Sequence, residues 1–269
     1  MKSILFYLSF IFILFSSSLC HSQILFGPKI GLNNAWADTD NRNIGYTQGE
    51  HINRIQFGFV YDHAIKTQFS IRAEVLYSEK GYAVRKYYNS YLFDVKNTQN
   101  SSYWELQKRY LEVPVMLKWF TESRSFKFYI NAGIYGAYWL SANNYASLFT
   151  YNLGDISPKR KEAEQEYEFD NDFGTNKRKD NRIDYGLVAG SGLAYKIKRG
   201  EIFIEARYSH GFADRFVFEA SQPKYYLPQM NRNWSFSAGF LLTLKPKKIH
   251  KKIHKKIEEN EPEEEEQSE

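Results

Sequence analysis

Across the fifteen residues NRNWSFSAGFLLTLK, positions 231–245, the large apolar side chains fall on alternate positions. Trp234, Phe236, Ala238, Phe240, Leu242 and Leu244 share one parity, and Ser235, Ser237, Gly239, Leu241 and Thr243 share the other. A period of two is the signature of a strand with one apolar face. Such a strand has two homes. In a water-soluble barrel the apolar face lines the core, whereas in a membrane barrel it faces lipid and the small, polar face fills the lumen.

The same alternation recurs in ILFGPKIGLNNAW, NRIQFGFVYD, TQFSIRAEVLYSEKG, QKRYLEVPVMLKWF, FKFYINAGIYGAYWL, RIDYGLVAGSGLAYKI and EIFIEARYSHGF. With the stretch above, that predicts about eight strands, each long enough to cross a bilayer at a tilt. Short connections near DHAIK, TESRS and KRGE alternate with long ones over Ala37 to Ile52, Tyr82 to Ser102, Ser141 to Asn181 and Ala213 to Met230. This is the turn pattern of an up-and-down membrane barrel. Aromatic residues on the apolar parity gather near the strand ends. Trp36, Tyr77, Tyr138, Tyr185, Tyr208 and Trp234 form a predicted belt beside the long loops, and Phe26, Tyr61, Phe69, Trp119, Phe126 and Tyr195 a second beside the short turns. The opposite parity carries glycines and charges of both signs, which suit a cramped lumen. The expected fold is therefore all-β, an eight-stranded antiparallel up-and-down transmembrane β-barrel.

The chain has 269 residues and a formal charge of +5, and its mean hydropathy of -0.56 would suit a soluble protein. That value does not count against a barrel, because only alternate strand residues meet lipid. At the N-terminus, Lys2 precedes an apolar run from Ile4 to Phe15 that is short for a membrane helix and fits a secretory signal peptide. Cleavage between Ser22 and Gln23 divides the chain into a signal peptide (1–22), a barrel domain (23–244) and a charged tail (245–269) that is expected to be disordered. Cys20, the sole cysteine, leaves with the signal, so no disulfide is expected. Leu19 and Ser17 stand where a lipoprotein anchor would want a small and an aliphatic residue, respectively.

Arg72, Glu74, Glu112, Glu205 and Arg207 are the strongest constellation on the inward parity, and they are expected to pair as a lumenal charge network that plugs a barrel of this size. The competing reading makes them the gate of a narrow channel. A lipid-modifying enzyme would need a serine and a histidine on one face, but Ser209 and His210 are neighbours on a strand and point to opposite faces. No catalytic residue, metal site or cofactor is expected. His51 and His63 lack evident ligand partners, and His250 and His254, four apart, are flanked by lysines that repel a cation. Nucleic-acid binding is disfavoured because the basic run of the tail is followed directly by an acidic block.

The phrases FGPKIGLN, EVLYSEKG, YLEVPVMLKW, NAGIYGAYWL, DYGLVAGSGLAY and EARYSHGF, in that order up to Leu244, resemble the PorT-like outer-membrane β-barrel family of Bacteroidetes. The resemblance implies fold and location, and, through the member that gives the family its name, an accessory role in protein secretion. The loop from Ser141 to Asn181 and the tail after Leu244 fall outside it. The chain is thus expected to be a monomeric, non-enzymatic protein of a Gram-negative outer membrane with a structural or interaction role. Its expected partners are membrane lipid and envelope or secretion-system proteins, with the long loops extracellular and both termini periplasmic.

Overall fold

The computed structural model describes residues 23–38, 47–90, 98–152, 159–172, 178–219 and 228–244. The expected signal peptide, Cys20, His250, His254 and the charged tail lie outside the described residues. Among the described residues twelve strands follow one another: β1 (Ile24–Asp38), β2 (Thr47–Glu50), β3 (Ile52–Lys66), β4 (Phe69–Ser90), β5 (Thr98–Glu122), β6 (Phe126–Asn152), β7 (Lys159–Glu166), β8 (Arg178–Asp180), β9 (Ile183–Ile197), β10 (Gly200–Gly211), β11 (Phe216–Phe218) and β12 (Met230–Leu244). Eight of them close a ring in the order β1, β3, β4, β5, β6, β9, β10, β12 and back to β1. Every pair with a defined register is antiparallel and the eight ring strands neighbour one another in the order in which they occur along the chain, as an up-and-down barrel requires. The closed ring leaves no unpaired edge within the wall.

Parity sorts the side chains as alternation dictates. Ile30, Ile134 and Ile204 are at least 60 % exposed on the outer wall, while Arg72 and Glu74 are fully buried inside it. Only a membrane makes that distribution favourable, since outward aliphatics gain nothing from water. Among the described residues no helix is long and apolar enough to span a bilayer; the chain crosses with its strands. On β6 the lipid-facing segment runs from Phe126 to Tyr138, and on β5 from Leu111 to Trp119.

At one end the turns are tight: Thr67 and Gln68 join β3 to β4, residues 123–125 join β5 to β6, and Lys198 and Arg199 join β9 to β10. The other end differs from the sequence expectation. Strands β4, β5 and β6 contain 22, 25 and 27 residues, whereas about 9–11 suffice to cross. Much of Tyr82 to Ser102 and Ser141 to Asn181, expected as loop, is therefore strand. Here β2 pairs with β4 and β7 pairs with β6, so that β2, β4, β5, β6 and β7 form a five-stranded palisade on the rim. The overhangs meet water or protein and not lipid, so no apolar outward parity marks them.

Two irregularities occur at this rim. The register of β5 and β6 steps from Tyr110↔Trp139 to Arg109↔Ser141, inserting Leu140 as a bulge that turns Ala142 inward. Gly81 has φ +151, and a Cβ there would meet the Leu106 carbonyl oxygen at 1.9 Å, so the bend of β4 needs glycine.

Candidate functional site

The lumen is filled in layers. Nearest the tight turns is an apolar layer of Leu25, Val60, Phe120, Tyr129, Ala194, Phe203 and Leu241. Glycine makes room for its rings: the Tyr129 ring lies against Gly192 and the Phe203 ring against Gly239, where a Cβ would collide at 2.3 and 2.5 Å.

A chain of charges runs past this layer, from the level above it down to the short-turn rim, with Asp62 opposite Leu25 and Glu201 opposite Leu241. Lys29 bridges Glu74 (3.1 Å) and Glu205 (2.9 Å). Arg207 binds both oxygens of Glu74 at 2.8 and 2.9 Å and approaches Glu205 at 2.5 Å. Arg72 reaches Glu205 (2.9 Å) on one side and Asp62 (2.9 Å) on the other, with its guanidinium over the Tyr129 and Phe203 rings. From Asp62 the chain continues to Lys118 (2.7 Å), Glu201 (3.7 Å), Lys127 (2.8 Å) and Glu122 at the short-turn rim (3.7 Å). Five cations thus alternate with five carboxylates, and Asn131 donates a further hydrogen bond to Glu205 at 2.7 Å. Charges taken out of water are tolerated only when each is paired and hydrogen-bonded in this way.

Four of the five residues singled out from the sequence, Arg72, Glu74, Glu205 and Arg207, meet here. Glu112 does not join them. It faces Lys80 at 2.5 Å in a separate group nearer the long-loop end, because β5 carries Pro114 and Met116 between it and the level of Lys118. Sequence reading missed Asp62, whose side chain links the central charges to those near the rim. Its signal was its inward parity opposite Arg72 across the β3–β4 pair.

The mouth is closed by rings. Tyr82, Leu106, Tyr110, Met116, Tyr135, Trp139 and Val188 form a buried cluster against which Tyr167 and Phe169 pack. Trp139 stacks on Tyr167 at 5.5 Å and meets Phe169 edge-on at 4.8 Å. Tyr167 donates to the Asp180 carboxylate at 2.9 Å, and Arg215 donates to the Tyr82 hydroxyl at 3.0 Å, tying residues 167–170, β8 and the segment before β11 over the opening. Lys108 sits beneath this cover, beyond the lipid-facing part of β5, with its ammonium 4.9 Å from the Trp139 ring centre. Among the described residues no carboxylate pairs with it. Burial, together with the nearby Arg215, lowers this lysine to about 7 against the pull of Asp184, Asp180 and Asp214.

On the outer wall, Phe26, Tyr61, Phe69, Phe126 and Tyr195 are exposed toward the tight turns, and Trp119 on the same level is half-buried. Toward the long-loop end Tyr138, Tyr185 and Trp234 are exposed, while Trp36, Tyr77 and Tyr208 are half-buried. Tyr208 contacts both Trp234 (5.0 Å) and Trp36 (6.2 Å). Ser209 is buried in the lumen while His210 lies on the outer wall beside Tyr208 and Phe212, so the two share no face. Among the described residues no group of three His, Cys, Asp or Glu side chains is arranged to hold a metal ion.

A closed ring of eight strands, apolar without and charged within, defines an integral outer-membrane barrel. The description "outer membrane protein beta-barrel domain" matches residues 15–217, and the chain belongs to that family, which places it in the outer membrane of a Gram-negative bacterium. No curated protein matches the chain. Among solved structures it is similar to the outer membrane protein OprG from Pseudomonas aeruginosa, at 12 % identity over 84 % of this chain and 96 % of that one, with a TM-score of 0.40. It is also similar to Ail, the attachment invasion locus protein of Yersinia pestis, in complex with sucrose octasulfate (11 %, 82 % and 99 %, 0.33). A third is the outer membrane protease OmpT from Escherichia coli (10 %, 83 % and 96 %, 0.38).

Proposed function

We propose that this protein is a non-enzymatic, closed barrel that acts as a monomeric structural or interaction protein of the outer membrane, presenting its palisade to other envelope components. The observation that carries this reading is the filling of the lumen by an apolar cluster, a chain of paired charges that threads past it, and a ring-lined cover toward the long-loop end. Side chains packed in this way leave the interior to structure rather than transport. The alternation of tight turns with long rim extensions supports an orientation with the palisade extracellular and Gln23 and Leu244 on the periplasmic side. The PorT-like phrases favour an accessory role in secretion or envelope assembly, with secretion-system proteins as partners.

Planar-bilayer recording tests the closed lumen. Wild-type protein is expected to show little current, and Arg207→Ala more, because that change removes three charge contacts at the centre. Large, steady wild-type currents would replace this reading with a narrow channel.

A further inference from the structure

The outer wall is hollowed where β9, β10, β12, β1 and β3 run side by side. Register sets Ala206 opposite Ser191 on one side and Phe236 on the other, and sets Ile204 opposite Ala238. These short side chains, with Pro28 on β1, step diagonally across the lipid-facing surface. Larger exposed side chains, among them Ile30, Leu32, Ile55 and Phe236, form the banks. The result is a trench of two adjoining hollows, of about 710 and 660 Å³, which share Ile30 and Ala238.

Directly above the trench, toward the long-loop end, the lipid-facing parity of β1 and β3 turns polar. Asn34 follows Leu32 on its face, and Asn53 precedes Ile55. Asn34 donates from Nδ2 to the Asn53 Oδ1 at 2.8 Å, and its own Oδ1 lies 2.7 Å from the Nδ1 of His51. His51 stacks on Trp36 at 4.5 Å, and Trp36, Tyr208 and Trp234 border the group. Asn53 and His51 are exposed. This amide and imidazole chain is set in a ring-rich rim. It is well matched to hydroxyl and amide groups, and indole and phenol rings pack against sugar faces. The neighbouring Arg54 is tied to Glu105 and Arg232 is buried, so neither offers a phosphate an open cation.

We infer that this wall holds one molecule of an acylated glycolipid, with an acyl chain lying in the trench and an uncharged sugar of the headgroup on the Asn34–Asn53–His51 chain. The occupant is argued from position: the trench lies within the band between the two aromatic levels, where acyl chains are the solvent, and the polar chain lies at headgroup depth. That the glycolipid belongs to the outer leaflet rests on the orientation proposed above.

The test compares full-length protein, extracted in mild detergent, by native mass spectrometry and by exchange with two synthetic probes that carry identical chains: a diacyl glucosamine lipid and phosphatidylglycerol. Wild type is expected to retain one glucosamine lipid and to prefer it to phosphatidylglycerol. Ala206→Leu with Ala238→Leu fills the trench and should weaken retention of both probes by about tenfold or more. Asn34→Ala with His51→Ala should abolish the preference while leaving chain retention, and Ala132→Leu, elsewhere on the wall, should change neither. Equal retention by wild type and the trench-filled variant, or no preference in wild type, overturns the inference. So does a wild-type dimer that the trench-filled variant dissociates, which would assign the face to a second copy. A reversed orientation would appear instead in the cysteine labelling described below, with lipid retention unchanged.

Discussion

Removing Arg207 breaks an ion shared by two buried carboxylates at the centre of the lumen. Its guanidinium satisfies both oxygens of Glu74 and approaches Glu205 at 2.5 Å. After Arg207→Met, Glu74 keeps only Lys29, itself shared with Glu205, while Glu205 keeps Lys29, Arg72 and Asn131. The damage therefore concentrates on Glu74, a buried carboxylate left with half of its charge partners. Orphaning one member of a buried pair costs about 3–5 kcal/mol. Glu74→Leu alone leaves Arg207 with Glu205 and is expected to fall at the lower end of that range. The double variant removes both the orphan and its cause, so its cost should be smaller than the sum of the two singles by about 2 kcal/mol or more. Urea unfolding of protein folded into lipid vesicles, followed by tryptophan fluorescence, gives all three values. Strict additivity, or a cost of less than about 1 kcal/mol for Arg207→Met, would refute the view that these charges are dry and mutually dependent.

Ile134→Arg, on the lipid-facing part of β6, is expected to cost about 2–4 kcal/mol in vesicles, whereas Leu148→Arg, also exposed on β6 but above the rim, should cost less than about 1 kcal/mol; equal costs would misplace the bilayer. Lys108 titrates near 7 in the folded chain and near 10.5 in the unfolded one. The unfolded chain therefore binds more protons between those values, and stability rises with pH across them. Lys108→Met should thus stabilise by about 2–4 kcal/mol at pH 6, with part of the full shift offset by the Trp139 contact, and the gain should fade toward pH 10. An equal gain at both pH values would show that the ammonium carries no penalty. A cysteine replacing Gln165 on β7 should react with an impermeant maleimide on whole cells, and one replacing Ser125 in a tight turn only after the outer membrane is opened; the reverse order would invert the proposed orientation.

The barrel itself was legible because each membrane strand meets two solvents, lipid and lumen, and writes that difference into its parity. Trp234, Phe236 and Ala238 against Ser235 and Ser237 are enough to show it. Where both faces of a strand meet the same solvent, the signal is lost. Lys159–Glu166 reads as a solvated charge run, yet it pairs along Asn143 to Thr150 because the edge of β6 continues past the rim and presents unpaired backbone groups. The lumenal network was legible in its members and not in its pairings. That Arg207 meets Glu74 and Glu112 meets Lys80 depends on the shear of the ring, which no strand carries alone. Likewise His51 reads as a loop residue until register lays it beside Asn34.

The alternating signs on β4 and β10 also bear on how the ring is sealed. Inward positions on β10 run Phe203, Glu205, Arg207, Ser209, and those on β4 include Arg72 and Glu74. Sliding β10 by one residue turns its whole inner face into lipid. Sliding it by two in one direction sets Arg207 beside Arg72, and in the other sets Glu205 beside Glu74. Each near-miss ring thus sets like charges face to face in a medium that screens them poorly, while in the native ring Arg207 faces Glu74 and Arg72 faces Glu205. A two-residue slip therefore exchanges ion pairs for like-charge neighbours, and the charge chain favours the native register over its nearest alternatives.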